Sequence, residues 1–232
     1  MERGRSRKAR SGCLGRIFGF VLFLIVAAVG VIAAVKYMPS RERADLDALY
    51  AAGGSDRVAL YLNYERQEES GVYVDGQTYL PAAWVDSNLN ERFYWDANEE
   101  ILVYALPEEI VKSDETTVDE DGKKVLYRDG DAVYLSLALI QKYTDVRLQA
   151  YDGEAQKRVF VENNWDPVTV ADAAWSAKIR LRGGLKSPIV TEIKRGGTVT
   201  VLEQYDNWAR VMTPDGHIGY MHKWKMKNLH EE

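Results

Sequence analysis

The chain has 232 residues, of which 46% are hydrophobic and 28% charged, and its formal net charge is −5 at pH 7. That total hides an asymmetry, because residues 1–36 carry a net +6, residues 37–175 a net −15 and residues 176–232 a net +4. The acidic middle argues against nucleic acid as a partner. An acidic part followed by a basic part predicts two modules with different surfaces. The basic end is either a solvated face or a surface for an anionic polymer.

The first predicted element is a membrane-spanning helix at residues 17–36. The run from Ile17 to Val35 has no charged or strongly polar side chain. At ~1.5 Å per helical residue it spans about 28 Å, close to the ~30 Å hydrocarbon core of a bilayer. A buried core helix would keep one polar face, and a cleaved signal peptide would end in a small-residue pattern that residues 33–37 do not match. We therefore predict a retained anchor.

The flanking charges orient this helix. Residues 1–16 hold six basic side chains and one acidic one, and positive charge stays on the cytoplasmic side of a membrane. The prediction is a single-pass cell-membrane protein with a cytoplasmic tail at residues 1–16 and everything after Lys36 outside the cell. The only cysteine, Cys13, lies in that tail. The exported part therefore has no disulfide framework, which fits a bacterial surface protein stabilised by its own core.

Residues 37–56 are predicted to form a short helical or flexible stalk that ends at Gly53-Gly54. Asp-Gly pairs are frequent beyond it, and they suit tight hairpin turns. The predicted helices are Ala82–Leu89 and Leu137–Tyr143. The predicted strands are Val58–Tyr64, Val72–Val74, Phe93–Trp95, Ile101–Ala105, Val125–Tyr127, Val146–Ala150 and Arg158–Glu162.

These elements form an internal repeat. Each copy reads as strand, strand, helix, strand, strand, and the Tyr-Leu pairs at Tyr79 and Tyr134 lie 55 residues apart. Two such units predict a compact α+β domain over residues 57–165. The first copy, with YVDGQTYLP at residues 73–81 and FYWD at residues 93–96, resembles the copper amine oxidase N-terminal-like domain of bacterial surface proteins. That resemblance implies a non-catalytic interaction module without copper. The second copy departs from the pattern, with Ser136 in place of the proline.

A linker is predicted at residues 166–173, opened by Pro167. Short alternating strands and Gly-rich turns follow, which predicts a small all-β barrel. Residues 179–184, 195–202, 208–211 and 216–221 resemble, in that order, the motifs of the bacterial SH3-like domain, and the resemblance covers residues 174–229.

The SH3-like resemblance implies a shallow groove that binds cell-wall peptidoglycan, or a surface partner, through aromatic faces. The basic charge of this end adds an anionic wall polymer as a candidate ligand. The candidate ligand-binding residues are Arg180, Tyr205, Trp208, Tyr220, His222 and Trp224. Trp208 is as much expected to be a core or groove-wall residue as a ligand platform. Trp224, between two lysines, is expected to be exposed.

No catalytic constellation is recognisable, so we predict a non-enzymatic protein without cofactor or metal. The sole cysteine is in the predicted tail, and His217, His222 and His230 match no zinc-binding spacing. The order of tail, anchor and two domains resembles the N-terminal region of Gram-positive surface glycoside hydrolases of family 18, whose Asp-x-x-Asp-x-Asp-x-Glu signature is missing here. The alternative is therefore the targeting portion of a truncated or split glycoside hydrolase. A structural spacer or sensor is a third reading.

Overall fold

The structure, a computed structural model, describes residues 12–153 and 155–231. The predicted basic tail lies outside them except for the backbone of residues 12–16, which begins helix α1 (Gly12–Tyr37). Within α1, residues 18–37 are exposed on all sides, and this stretch is long and apolar enough to cross a membrane. A membrane anchor and a signal sequence share these properties.

The predicted stalk contains a short helix, α2 (Leu46–Tyr50), whose first turn is capped because Asp45 accepts a hydrogen bond from the Ala48 amide at 3.1 Å. The residues before α2 do not project freely. The Ser40 amide donates to the Leu185 carbonyl, and Arg43 bridges to Ile189 in parallel orientation. The stalk is therefore packed along the C-terminal part of the chain.

Residues 57–162 form the unit that we call the repeat unit. Its elements are β1 (Arg57–Leu62), β2 (Glu65–Val74), β3 (Gln77–Pro81), α3 (Ala82–Asn88), β4 (Phe93–Asp96), β5 (Ile101–Ala105), β6 (Ile110–Ser113), β7 (Leu126–Asp129), β8 (Ala132–Ser136), α4 (Leu137–Tyr143), β9 (Arg147–Tyr151) and β10 (Arg158–Glu162). Seven strands form one sheet in the order β7-β8-β3-β2-β1-β10-β9, and β4, β5 and β6 form a second sheet.

Both copies of the repeat have the predicted order of two strands, a helix and two strands. They meet where β3 and β8 pair antiparallel, with Leu80 opposite Leu135, both fully buried. The copies then diverge, because β4 and β5 form a separate sheet with β6 whereas β10 joins the main sheet by parallel pairing with β1. The predicted first strand ends at Leu62 and not at Tyr64, since Asn63 and Tyr64 have φ of +47° and +67° and turn the chain into β2.

Residues 169–231 form the C-terminal unit. Its elements are β11 (Thr169–Ala173), β12 (Ala177–Arg180), β13 (Ile189–Ile193), β14 (Thr198–Gln204), β15 (Trp208–Met212), β16 (Ile218–His222), a 3₁₀ turn (Lys223–Lys225) and β17 (Met226–Glu231). The strands form one sheet in the order β13-β12-β16-β15-β14-β11-β17. No strand pairing among the described residues closes this sheet, so the predicted barrel is present only as an open, strand-rich unit.

Much of the predicted linker is a strand of this sheet. Thr169–Ala173 is β11, which pairs with β14 on one side and β17 on the other. Val170, Ala171 and Ala173 are buried in it. Pro167 precedes this strand and does not open a linker, because the strand that follows it packs small side chains into the core.

The two units share a hydrophobic core. Tyr50 from α2, Tyr61 and Phe160 from the repeat unit and Met212 from the C-terminal unit belong to one buried cluster. The sequence predicted two modules separated by a linker, and in the structure the two modules share this cluster. Burying aromatic surface from both units joins them into one folded body.

Candidate functional site

A cleft of about 330 Å³ opens on the C-terminal unit beside the start of the stalk. Four of the six candidate binding residues line it: Arg180, Trp208, His222 and Trp224. The other lining residues are Pro39, Ser176, Ala177, Lys178, Leu185 and Lys225. The lining therefore contains three permanently cationic side chains and no carboxylate, which favours an anionic ligand.

Strand alternation produces the aromatic wall of the cleft. On β15 and β16, Ala209 and Met221 point into the core, so Trp208 and His222 fall on the opposite face. The two residues are cross-strand partners, and their ring centroids lie 5.0 Å apart. Trp208 is half-buried, and a Cβ at Gly183 would lie 3.2 Å from its Cγ, so the adjacent loop packs on the indole. Trp208 is thus a wall of the groove.

Trp224 is the exposed platform of the cleft. It lies in the 3₁₀ turn with 61% of its surface exposed, 6.1 Å from the His222 ring and 4.4 Å from the Lys225 ammonium. The side chain of Lys225 is held because it donates to the Ser176 carbonyl at 3.2 Å. A bound ring or sugar face therefore meets an aromatic surface flanked by a fixed positive charge.

Arg180 lines the cleft but is only 3% exposed. Its guanidinium donates to the Ser187 carbonyl at 2.6 Å and to the Ser40 carbonyl at 3.3 and 3.2 Å. Burial lowers the pKa of Arg180 below its ordinary value. In this structure, the hydrogen bonds of Arg180 hold the stalk against the C-terminal unit. Direct contact between Arg180 and a ligand stays a prediction.

Tyr205 and Tyr220 do not line the cleft. They form a neighbouring pair with ring centroids 5.8 Å apart. The Tyr205 hydroxyl donates to Glu203, and this hydrogen bond raises the pKa of Tyr205 and lowers the pKa of Glu203. The pair is close to the Arg210 side chain, which is 2.8 Å from Glu203 and also contacts Glu65 of the repeat unit.

Sequence reasoning missed Lys178, Leu185, Lys225 and Pro39 as lining residues. A signal existed for Lys178, which alternates with buried Ile179 on a predicted strand, and for Lys225 beside Trp224. No local signal identified Pro39, because it reaches the cleft only through the docking of the stalk. Among the described residues, no group of three or more His, Cys, Asp or Glu side chains is placed to hold a metal ion.

Residues 175–227 match the family model of the bacterial SH3 domain. Domains of this family are commonly involved in cell-wall binding, and the match lies within the C-terminal unit. The match begins after β11, which nevertheless belongs to the same sheet. No curated protein matches the chain. The resemblances of the repeat unit to the copper amine oxidase N-terminal-like domain and of the domain order to family-18 glycoside hydrolases stay predictions.

Proposed function

We propose that this protein is a single-pass, membrane-anchored protein of the cell exterior that binds an anionic component of the cell wall through the cleft of its bacterial SH3 unit. The observation that carries the proposal is the lining of that cleft: exposed Trp224 beside three cations, with no carboxylate. The family match supports the ligand class. The exposed apolar helix α1 supports the anchor, and the basic residues that precede it in the sequence support its orientation.

We propose further that the protein acts by binding and not by catalysis. Hydrolysis of a glycosidic bond normally uses two carboxyl groups that face each other across the bond. The cleft lining contains none. A peptidoglycan or other wall polymer would instead stack on Trp224 and pair its negative groups with Lys178 and Lys225.

Co-sedimentation of the detergent-solubilised full chain with purified cell-wall sacculi tests this proposal. Trp224→Ala should weaken retention about 5- to 30-fold, the range for an exposed aromatic hot spot of about 1–2 kcal/mol. Trp165→Ala is the matched control, because Trp165 is 54% exposed and lies outside the cleft. Equal retention of both variants and the wild type would refute the assignment of the cleft.

A further inference from the structure

The cleft lies beside the end of helix α1. The helix ends at Tyr37 and Pro39 already lines the cleft. Two residues span at most about 7 Å, since an extended chain advances ~3.3–3.6 Å per residue. The connection is also held in place: the Ser40 amide donates to the Leu185 carbonyl at 2.8 Å, and the Lys186 ammonium donates to the Val35 carbonyl at 2.6 Å. With α1 in a membrane, the cleft is therefore fixed at the level of the lipid headgroups.

The side chains around the mouth of the cleft match that location. Leu185 and Trp224 expose 43% and 61% of their surface, and apolar and aromatic residues of this kind are favoured at the boundary between headgroups and acyl chains. Lys178 and Lys225 line the cleft with them, and Lys186 follows Leu185 in the sequence and reaches helix α1. None of the three lysines forms an ion pair with a described carboxylate. Unpaired lysines at this level attract anionic lipid.

We propose that the cleft also binds a phosphate group carried by a lipid of the outer leaflet, so that it engages an anionic group at the membrane surface as well as the wall component proposed above. This inference rests on the proposed anchor and on the proposed preference of the cleft for anionic groups, and it adds a second source of such groups. Lysine ammonium groups bind phosphate as point charges. Lys178 and Lys225 supply the charge and Trp224 packs on the part of the lipid next to the phosphate.

The experiment uses the full chain in lipid nanodiscs, with its six tryptophans replaced by 5-fluorotryptophan and observed by fluorine NMR. Trp224→Phe and Trp165→Phe assign two resonances of similarly exposed side chains. The discs contain a lipid with a nitroxide at the headgroup, which broadens resonances that touch the membrane surface. We expect the Trp224 resonance to broaden in phosphatidylglycerol discs, less in phosphatidylcholine discs, and the Trp165 resonance to stay sharp in both.

A charge variant tests the phosphate contact itself. Lys178→Gln with Lys225→Gln should lower the ratio of lipid-bound to lipid-free cleft, measured at the Trp224 resonance, about 25-fold, because each lysine near an anionic surface contributes about fivefold. Lys112→Gln with Lys123→Gln, two exposed lysines of the repeat unit, should leave that ratio unchanged. High salt should reproduce the effect of the cleft variant.

Three results separate the possible failures. A Trp224 resonance as sharp as that of Trp165 in phosphatidylglycerol discs overturns the inference. A Trp224 resonance that shifts when soluble wall fragments are added but is not broadened by the labelled lipid also overturns it. A chain that fails to co-elute with the discs refutes the proposed anchor instead. Loss of sacculus binding with intact broadening refutes wall binding and leaves the lipid-borne ligand supported.

Discussion

Arg158 joins the two units, and its removal provides a quantitative test of their fusion. The side chain is fully buried. Its guanidinium donates to the Gly216 carbonyl at 2.8 Å, to the Asp215 carbonyl and to the Gln156 carbonyl at 2.8 Å. It also lies 4.8 Å from the centre of the Tyr50 ring. One cation of the repeat unit thus binds two carbonyls of the SH3 unit and one ring of the stalk helix.

Arg158→Met retains most of the aliphatic stem and deletes the guanidinium. Three carbonyls then lose a charged donor inside the protein. Each hydrogen bond from a charged donor contributes about 1.5–3 kcal/mol, and a buried carbonyl left without its donor costs about 1–3 kcal/mol. We expect the free energy of unfolding to fall by about 3–5 kcal/mol, a large part of the ~5–15 kcal/mol that stabilises a typical domain.

Urea unfolding of the detergent-solubilised chain, followed by tryptophan fluorescence, measures this loss. The contact joins the units, so we also expect the single transition of the wild type to separate into two in the variant. Arg43→Met is the control, because Arg43 and Glu192 form an ion pair at 3.8 Å with side chains that are 71% and 51% exposed, an arrangement that contributes under about 1 kcal/mol. A change below 1 kcal/mol for Arg158→Met would refute the reasoning.

Two further predictions concern the loop that Arg158 contacts. Gly216 has φ of +71°, and a Cβ there would lie 2.5 Å from the Tyr151 ring. Gly216→Ala should therefore destabilise the chain by about 1–3 kcal/mol, which would lower the urea midpoint. An unchanged midpoint would contradict the close approach of Gly216 to Tyr151. For Asp215, burial opposes ionisation, but hydrogen bonds from Thr213 and His217 outweigh it and lower the pKa of the carboxyl. Because the pKa is lower in the folded state, ionised Asp215 stabilises the protein above the ordinary Asp pKa of ~3.9. This stabilisation is lost as the pH falls below that value and through the lower pKa of the folded state. Asp215→Asn should therefore flatten the acid limb of a stability–pH curve below about pH 4, and an unchanged limb would argue against this network.

Local patterns predicted most of the secondary structure for identifiable reasons. Asp75-Gly76 forms the expected hairpin turn, with φ of +51° and +79°, because that dipeptide tolerates positive φ at both positions. Helix α4 has the predicted bounds, Leu137–Tyr143, and Ser136 caps it by accepting from the Leu139 amide. Trp208 and His222 meet in the cleft because alternation along β15 and β16 places them on the same face. Arg180 from β12 and Trp224 from the 3₁₀ turn join them there.

The errors arose where long-range contacts decide the structure. The predicted linker becomes β11 because two distant strands, β14 and β17, pair with it. The end of the first strand was misplaced because a non-glycine pair, Asn63-Tyr64, adopts positive φ, which residue type alone does not indicate. Such pairings and strained turns depend on neighbours that are remote in the sequence.

By itself, the sequence determined three features: an apolar helix, a repeated strand–helix pattern and a bacterial SH3 region at the basic end. Each depends on local periodicity and composition, which a single chain displays directly. Only the tertiary structure decided that stalk, repeat unit and SH3 unit share a core through Tyr50, Phe160 and Met212. It alone placed Pro39 in the cleft and Arg158 on the carbonyls of residues 215 and 216. Those contacts join residues as far apart in the sequence as Tyr50 and Met212, and only the folded chain brings them together.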